Sequence, residues 1–74
     1  MIAEKMVVDR HGKAHQIVVQ PLFGFDDGFT VLHYTQTEGV WDLKTVAGCS
    51  DESMAMETVN RILDRLEVNP NTLH

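Results

Sequence analysis

The feature that most constrains the fold is a single stretch of helical periodicity in the last third of the chain. Between residues 51 and 68, apolar side chains recur every three or four residues, which places them on one side of an α-helix. The apolar positions are Ala55, Met56, Val59, Ile62, Leu63 and Leu66. The residues before position 50 show the alternation and turn residues of β-strands instead. One helix covers one face of a sheet, so the sequence predicts a second face with no helix over it.

The ends of this helix are also indicated by the sequence. Ser50 is a suitable N-terminal cap, and Asp51 and Glu52 place carboxylates at the positive end of the helix dipole. Pro70 marks the other end, because the residue before a proline is disfavoured in the helical region. We therefore expect a helix at about residues 51–68 and a flexible tail at 69–74.

Four shorter segments have the character of β-strands. Residues 5–10 and 13–23 are separated by a turn containing Gly12, and residues 30–35 and 40–46 are separated by a turn containing Gly39. The sequence predicts an α+β fold, an antiparallel β-meander of three to four strands with one C-terminal amphipathic helix packed on one face, in the order β-β-β-β-α. The whole chain of 74 residues then forms a single small domain.

Alternation along the strands groups residues by face, and the sequence leaves open which face meets the helix. Ile17 and Val19 share one side of the second strand, and Trp41 and Leu43 share one side of the fourth, so one possibility is that these four face the helix. The third strand is balanced between two orientations. The uncovered face is then expected to show Val18, Leu22, Leu32 and Tyr34. A half-apolar open face of this kind is typical of a dimer interface or of a site for another protein.

The charge of the chain favours a protein partner over a nucleic acid. The formal net charge is −5, and residues 14–60 contain one basic residue, Lys44. This is the wrong sign for binding a phosphate backbone, so direct nucleic-acid binding is not expected. An acidic side of the protein suits a partner with a basic surface, although ordinary solubility also explains a charge of this size.

An aromatic and acidic loop is the candidate for a partner-binding anchor. Phe25 lies beside Asp26 and Asp27, and an exposed aromatic ring next to charges is a common arrangement at protein interfaces. Together with Glu38 and Asp42, these residues form the predicted partner-binding set. The alternative is that the phenylalanine folds back into the core.

The sequence predicts no catalytic, metal-binding or cofactor-binding residues. Cys49 is the only cysteine, so it forms no disulfide within the chain, and nothing places a histidine beside it as a base. His11 and His15 are four apart but flank a turn, which breaks the ligand spacing of a helix. His33 falls in an alternating strand, where a hydrogen-bonded and partly buried histidine is the ordinary interpretation.

Size and hydropathy add three expectations. A domain of 74 residues buries only roughly 60% of its unfolded surface, which favours a homodimer. The absence of a signal peptide and of long apolar stretches, together with a single cysteine, indicates a cytoplasmic protein with no membrane contact. The methionines Met6, Met54 and Met56 are expected to fill gaps in the core.

These observations rank three functions. The first is a small acidic, noncatalytic protein–protein interaction module that inhibits, adapts or regulates another protein, in its sharpest form a phage-type nucleic-acid mimic of the anti-defence or anti-CRISPR kind. The second is a nucleic-acid-binding module, because strands followed by a helix is also the element order of double-stranded-RNA-binding domains. The third is a small-ligand binder or an enzyme with a site between the subunits of a dimer.

Overall fold

The computed structural model describes residues 3–21 and 28–67. Four antiparallel strands form one sheet in the order β1-β2-β3-β4, and one C-terminal helix follows, so the predicted β-β-β-β-α arrangement is confirmed. The elements are β1 Ala3–Val8, β2 Ala14–Pro21, β3 Phe29–Thr37, β4 Val40–Cys49 and α1 Glu52–Leu66.

Part of the predicted partner-binding set lies outside the described residues. These residues are Phe25, Asp26 and Asp27, in the connection between β2 and β3, and Leu22 of the predicted open face lies outside the described residues as well. The predicted tail, residues 69–74, also lies outside them.

Tight turns join the strands at the opposite ends of β2 and β3 from this connection. In the β1–β2 turn, the Asp9 carboxylate accepts hydrogen bonds from the backbone N–H groups of His11 and Lys13 at 2.9 and 3.0 Å. The β3–β4 turn consists of Glu38 and Gly39, with φ values of 52° and 82°. Two successive positive φ angles make a type I′ turn, whose twist matches that of an antiparallel hairpin.

The fourth strand is longer than the sequence predicted. The expectation that the strand pattern breaks after Val46 is wrong, because Ala47, Gly48 and Cys49 pair with β3 as far as Phe29. Gly48 lies within the ladder opposite a residue of β3, so its backbone hydrogen bonding outweighs its weak strand propensity. The extension brings Cys49 into the core.

A β-bulge in β4 decides where Trp41 and Leu43 lie. We call the sheet face that carries α1 the inner face and the opposite one the outer face. Lys44 is an extra residue at a shift in register between His33 and Tyr34. One extra residue reverses the alternation of side chains beyond it. Trp41 and Leu43 therefore do not share a face with Ile17 and Val19, and both lie on the outer face.

The helix begins and ends slightly differently from its prediction. Asp51, rather than Ser50, is the N-cap, and its carboxylate accepts the backbone N–H of Met54 at 2.8 Å. The helix ends before Pro70 is reached, with Glu67 as a left-handed C-cap. At that end, an exposed ion pair of 2.7 Å joins Glu67 to Arg10 in the β1–β2 turn. The helix thus crosses the inner face from the end of β4 to the first hairpin.

The hydrophobic core lies between this helix and the inner face. Ile17 and Val19 are buried there, and Val31 of β3 is fully buried beside them. Cys49, Ala55 and Val59 complete the buried cluster. The prediction that the methionines fill the core is wrong, because Met6, Met54 and Met56 are all exposed large hydrophobics.

Candidate functional site

The outer face presents apolar side chains on all four strands. Pairing across the sheet aligns Glu4, Val18, Leu32 and Val46 in one row and Met6, Gln16, Tyr34 and Leu43 in the next. Beyond them, Val8 pairs with Ala14 and Gln36 pairs with Trp41. Three of the four residues predicted for an open face, Val18, Leu32 and Tyr34, are in these rows. They are half-buried and lie in the two central strands.

On this face, the residues of the two edge strands, β1 and β4, are the most exposed. In β4, Leu43 is 49% exposed and Val46 is 59% exposed, with Trp41 beside them. In β1, Met6 and Val8 are also exposed. The half-buried apolar residues of β2 and β3 lie between these two edge strands, so the apolar surface continues from one edge of the sheet to the other.

Charge is nearly excluded from the outer face. Among the paired positions of the described strands, Glu4 is the one charged residue on this face. Its carboxylate accepts a hydrogen bond from the Gln16 amide in the neighbouring strand. In a chain with 23% charged residues, a surface of this composition is distinct from the rest of the molecule.

The described acidic candidates lie elsewhere. Glu38 is in the β3–β4 turn, and Asp42 is an exposed residue of β4 opposite Thr35, which places it on the inner side. The structure therefore does not bring these two carboxylates together with the apolar surface. Asp42 is directed to the opposite side of β4 from its neighbours Trp41 and Leu43, and Glu38 lies in the turn beyond the end of the sheet.

A second cluster, which the sequence did not predict, is buried on the inner face. The Asp9 carboxylate lies 2.8 Å from Nε2 of His15, and Nδ1 of His15 lies 3.0 Å from Nε2 of His33. The Thr35 hydroxyl lies 3.3 Å from the same Nδ1 atom. We call Asp9, His15, His33 and Thr35 the buried polar chain. The side chains of Asp9 and His15 are only 10% and 5% exposed.

Local structure positions each member of this chain. The turn at the end of β1 holds one oxygen of Asp9 on backbone N–H groups and leaves the other for His15. His15 pairs with Thr35, and Ile17 pairs with His33, so the two histidines are diagonal neighbours on one sheet face. The sequence shows that His15 and Ile17 lie on one side of β2 and that His33 and Thr35 lie on one side of β3. It does not show the register that brings these residues opposite one another.

The pKa values of Asp9 and His33 in the buried polar chain follow from these contacts. The hydrogen bond from His15 lowers the pKa of Asp9 to about 2, and the backbone N–H groups of Lys13 and His11 act in the same direction against the effect of burial. Burial lowers the pKa of His33, and the charges of His15 and Lys44 lower it further. The ionised form of Asp9 and the neutral form of His33 are therefore favoured.

One set of tautomers satisfies both histidine contacts. Nε2–H of His15 donates to the Asp9 carboxylate, and Nδ1 of His15 accepts from Nε2–H of the neutral His33 ring across 3.0 Å. Both contacts are largely closed to solvent, so each buried polar atom depends on its partner in the cluster.

Other reactive groups in the described residues are engaged structurally. Cys49 is buried, and its sulfur lies 3.6 Å from the Thr58 hydroxyl of α1. Within residues 3–21 and 28–67, no group of three or more His, Cys, Asp or Glu side chains is placed to hold a metal ion.

Comparisons with known proteins do not assign the chain to a family. No protein-family model matches it, and no curated protein or solved structure gives a significant match. In the part of the chain that the structure describes, no helix is long and apolar enough to cross a membrane. The surface and the buried polar chain are thus the features from which a function is argued.

Proposed function

We propose that this protein is a small, acidic, noncatalytic protein–protein interaction module that binds another protein chain through its outer face. The observation that carries the proposal is the composition of that face, which is apolar from β1 to β4 and has Glu4 as its one charge at a paired position. Contiguous exposed apolar surfaces with little charge are characteristic of the buried centre of protein interfaces.

The contents of the outer face support a specific interface over scattered surface hydrophobes. Trp41 and Tyr34 supply the aromatic rings that are enriched at the centres of interfaces, and Leu43 pairs with Tyr34 beside them. A strand extends its side chains in a fixed alternation, so these groups are held in place before a partner arrives. Binding then costs little ordering of the backbone.

The buried polar chain supports a noncatalytic role. A general acid or base needs to reach the proton it transfers in a bound substrate. His15 is 4% exposed, and its ring nitrogens are directed at Asp9 and His33 within the fold. These contacts are those of a structural network that satisfies buried polar groups, which is a sufficient reason for its presence.

The acidic residues give this module its expected choice of partner. Glu38 and Asp42 are exposed and lie outside the apolar face, where they can steer a chain with a basic surface without being buried. Roles as an inhibitor, adaptor or regulator follow from such binding. The narrower hypothesis of a nucleic-acid mimic depends also on Asp26 and Asp27 and stays a prediction.

The test is a pull-down from lysate of the source cells with the tagged wild type and two matched variants. Leu43→Lys places a charge on the outer face, and Val40→Lys places one at another exposed position of the same strand, which pairs with Thr37 on the inner side. We expect specific captured protein, quantified by mass spectrometry, to be lost with Leu43→Lys and kept with Val40→Lys. Equal capture by all three folded proteins would contradict the proposal.

A further inference from the structure

We propose that the chain covering the outer face is a second copy of this protein, so that two sheets pack face to face in a homodimer with a helix on each outside surface. This inference rests on the proposed function in taking the outer face as the interface, and it puts a second copy there in place of a chain with a basic surface. It is carried by four properties of the described residues, which are the protected edges of the sheet, the position of its one outer charge, the area of the face and the size of the core.

The edges of the sheet are protected against pairing, and the outer face is not. Edge strand β1 carries the charges of Glu4 and Lys5, and edge strand β4 carries Asp42, Lys44 and a bulge. Charges and bulges on edge strands prevent two sheets from joining side by side. A second copy is therefore expected to bind at the outer face, where the exposed apolar groups carry no charges or bulges that would prevent association.

The distribution of charge suits two identical chains. Two copies that each carry −5 repel, so a stable contact between them needs a surface from which charge is excluded. A two-fold axis parallel to the strands sets β1 of one copy opposite β4 of the other. The two Glu4 carboxylates then lie at opposite edges, about three strand spacings or roughly 14 Å apart, and each keeps its own Gln16 partner.

The area of the face is sufficient for a dimer. Four strands spaced at about 4.8 Å, with about six residues each at about 3.3 Å, give a surface of roughly 19 by 20 Å. With side-chain relief, two such surfaces bury on the order of 1,000 Å² or more, which is the scale of a specific interface. The apolar character of the face matches homodimer interfaces more closely than those of transient complexes.

The core of one copy is small. In the described residues, the buried apolar cluster under α1 contains Ile17, Val19, Val31, Cys49, Ala55 and Val59. The neighbouring part of the inner face is filled by the buried polar chain instead of hydrocarbon. Small domains commonly complete their burial by self-association. A second copy is present wherever the protein is made, so it meets this need without another gene product.

The experiment measures the oligomeric state of the full chain by sedimentation equilibrium from low to high micromolar concentration. We expect a dimer for the wild type, a dimer for Val40→Lys, and an association constant weakened by roughly 100-fold or more for Leu43→Lys, because a lysine would be buried without a partner. Circular dichroism of each variant establishes that it is folded before its assembly is compared.

The single tryptophan gives a second readout that needs no variant. Trp41 is 37% exposed in one copy, so burial in a dimer shifts its emission to the blue, and dilution reverses the shift. A wild type that is monomeric throughout, with no shift on dilution, would overturn the homodimer. A dimer that persists in folded Leu43→Lys would also overturn it as an outer-face contact. If the wild type is monomeric and Leu43→Lys still loses a lysate protein, this inference fails and the proposed function stands.

Discussion

The two faces of the sheet invert the usual association of polarity with exposure. On the inner face, the side chains of His15, His33 and Thr35 are buried. On the outer face, Leu43 and Val46 are about half exposed. What differs is the covering layer, because α1 crosses one face only. Exposure in this fold is therefore decided by where the helix lies and not by the hydrophobicity of each residue.

The two faces also differ in whether their side chains find partners within one copy of the protein. The buried polar chain keeps its inner-face atoms bonded to each other, and no buried side-chain nitrogen or oxygen in the described residues lacks a hydrogen-bond partner. The outer face has no equivalent compensation within one copy, because apolar groups are satisfied only by being covered. The following predictions test this difference, starting from the largest effect.

Truncating one apolar side chain on each face separates the covered face from the open one. Ile17→Ala should lower the free energy of unfolding by about 3 kcal/mol, because it leaves a cavity under the helix. Leu43→Ala should cost less than about 1 kcal/mol in dilute solution, because its side chain is already half exposed. Urea denaturation at two protein concentrations measures both effects. The Leu43 effect should grow with concentration, and the Ile17 effect should not.

Disrupting the buried polar chain tests whether it stabilises the inner face. His15→Leu should cost about 2 kcal/mol, because it leaves an oxygen of Asp9 and the ring of His33 without their partner in a desolvated place. Thr35→Val removes only the longer 3.3 Å contact and should cost less than about 1 kcal/mol. Equal effects in thermal denaturation would mean that the hydrogen bonds contribute little beyond packing.

Acid should weaken the inner face in two stages and leave the outer face unaffected. The pKa of His33 is lower in the fold than its ordinary value of 6.5, so the unfolded chain takes up the proton first and stability falls as pH drops below about 6.5. The pKa of Asp9 falls from 3.8 to about 2, so its contribution is present above pH 4 and is lost between pH 4 and 2.

Two variants assign these stages in urea denaturation at a series of pH values. His33→Gln should remove the upper stage, and Asp9→Asn should remove the lower one. An unchanged upper stage in His33→Gln would mean that another histidine is responsible for it. Leu43→Ala serves as the outer-face control, and it should shift the whole profile without changing its shape.

The smallest effect is expected at a residue that belongs to neither face. Glu38 has a φ of 52° in the type I′ turn, a conformation that asparagine adopts more readily. Glu38→Asn should raise the free energy of unfolding by about 0.5 kcal/mol and leave self-association unchanged. A loss of partner capture in this more stable variant would assign the carboxylate a role in binding, separate from that of the apolar face.

Much of the fold follows from patterns that are local in the sequence. The 3.6-residue periodicity of α1, the turn glycines Gly12 and Gly39, and the alternation that buries Ile17 and Val19 each act over a few residues. The fold class was predictable for that reason. The face of Trp41 and Leu43 was not, because the bulge at Lys44 depends on how β4 pairs with β3.

The sequence by itself determined the element order, the net acidity and the presence of a sheet with only one helix to cover it, since these depend on local propensity and composition. The tertiary structure alone decided two matters. Strand register brought His15 to His33, 18 residues away, and the bulge moved Trp41 to the open face. Both depend on contacts between strands, whose alignment is set by the packing of the whole sheet against its helix.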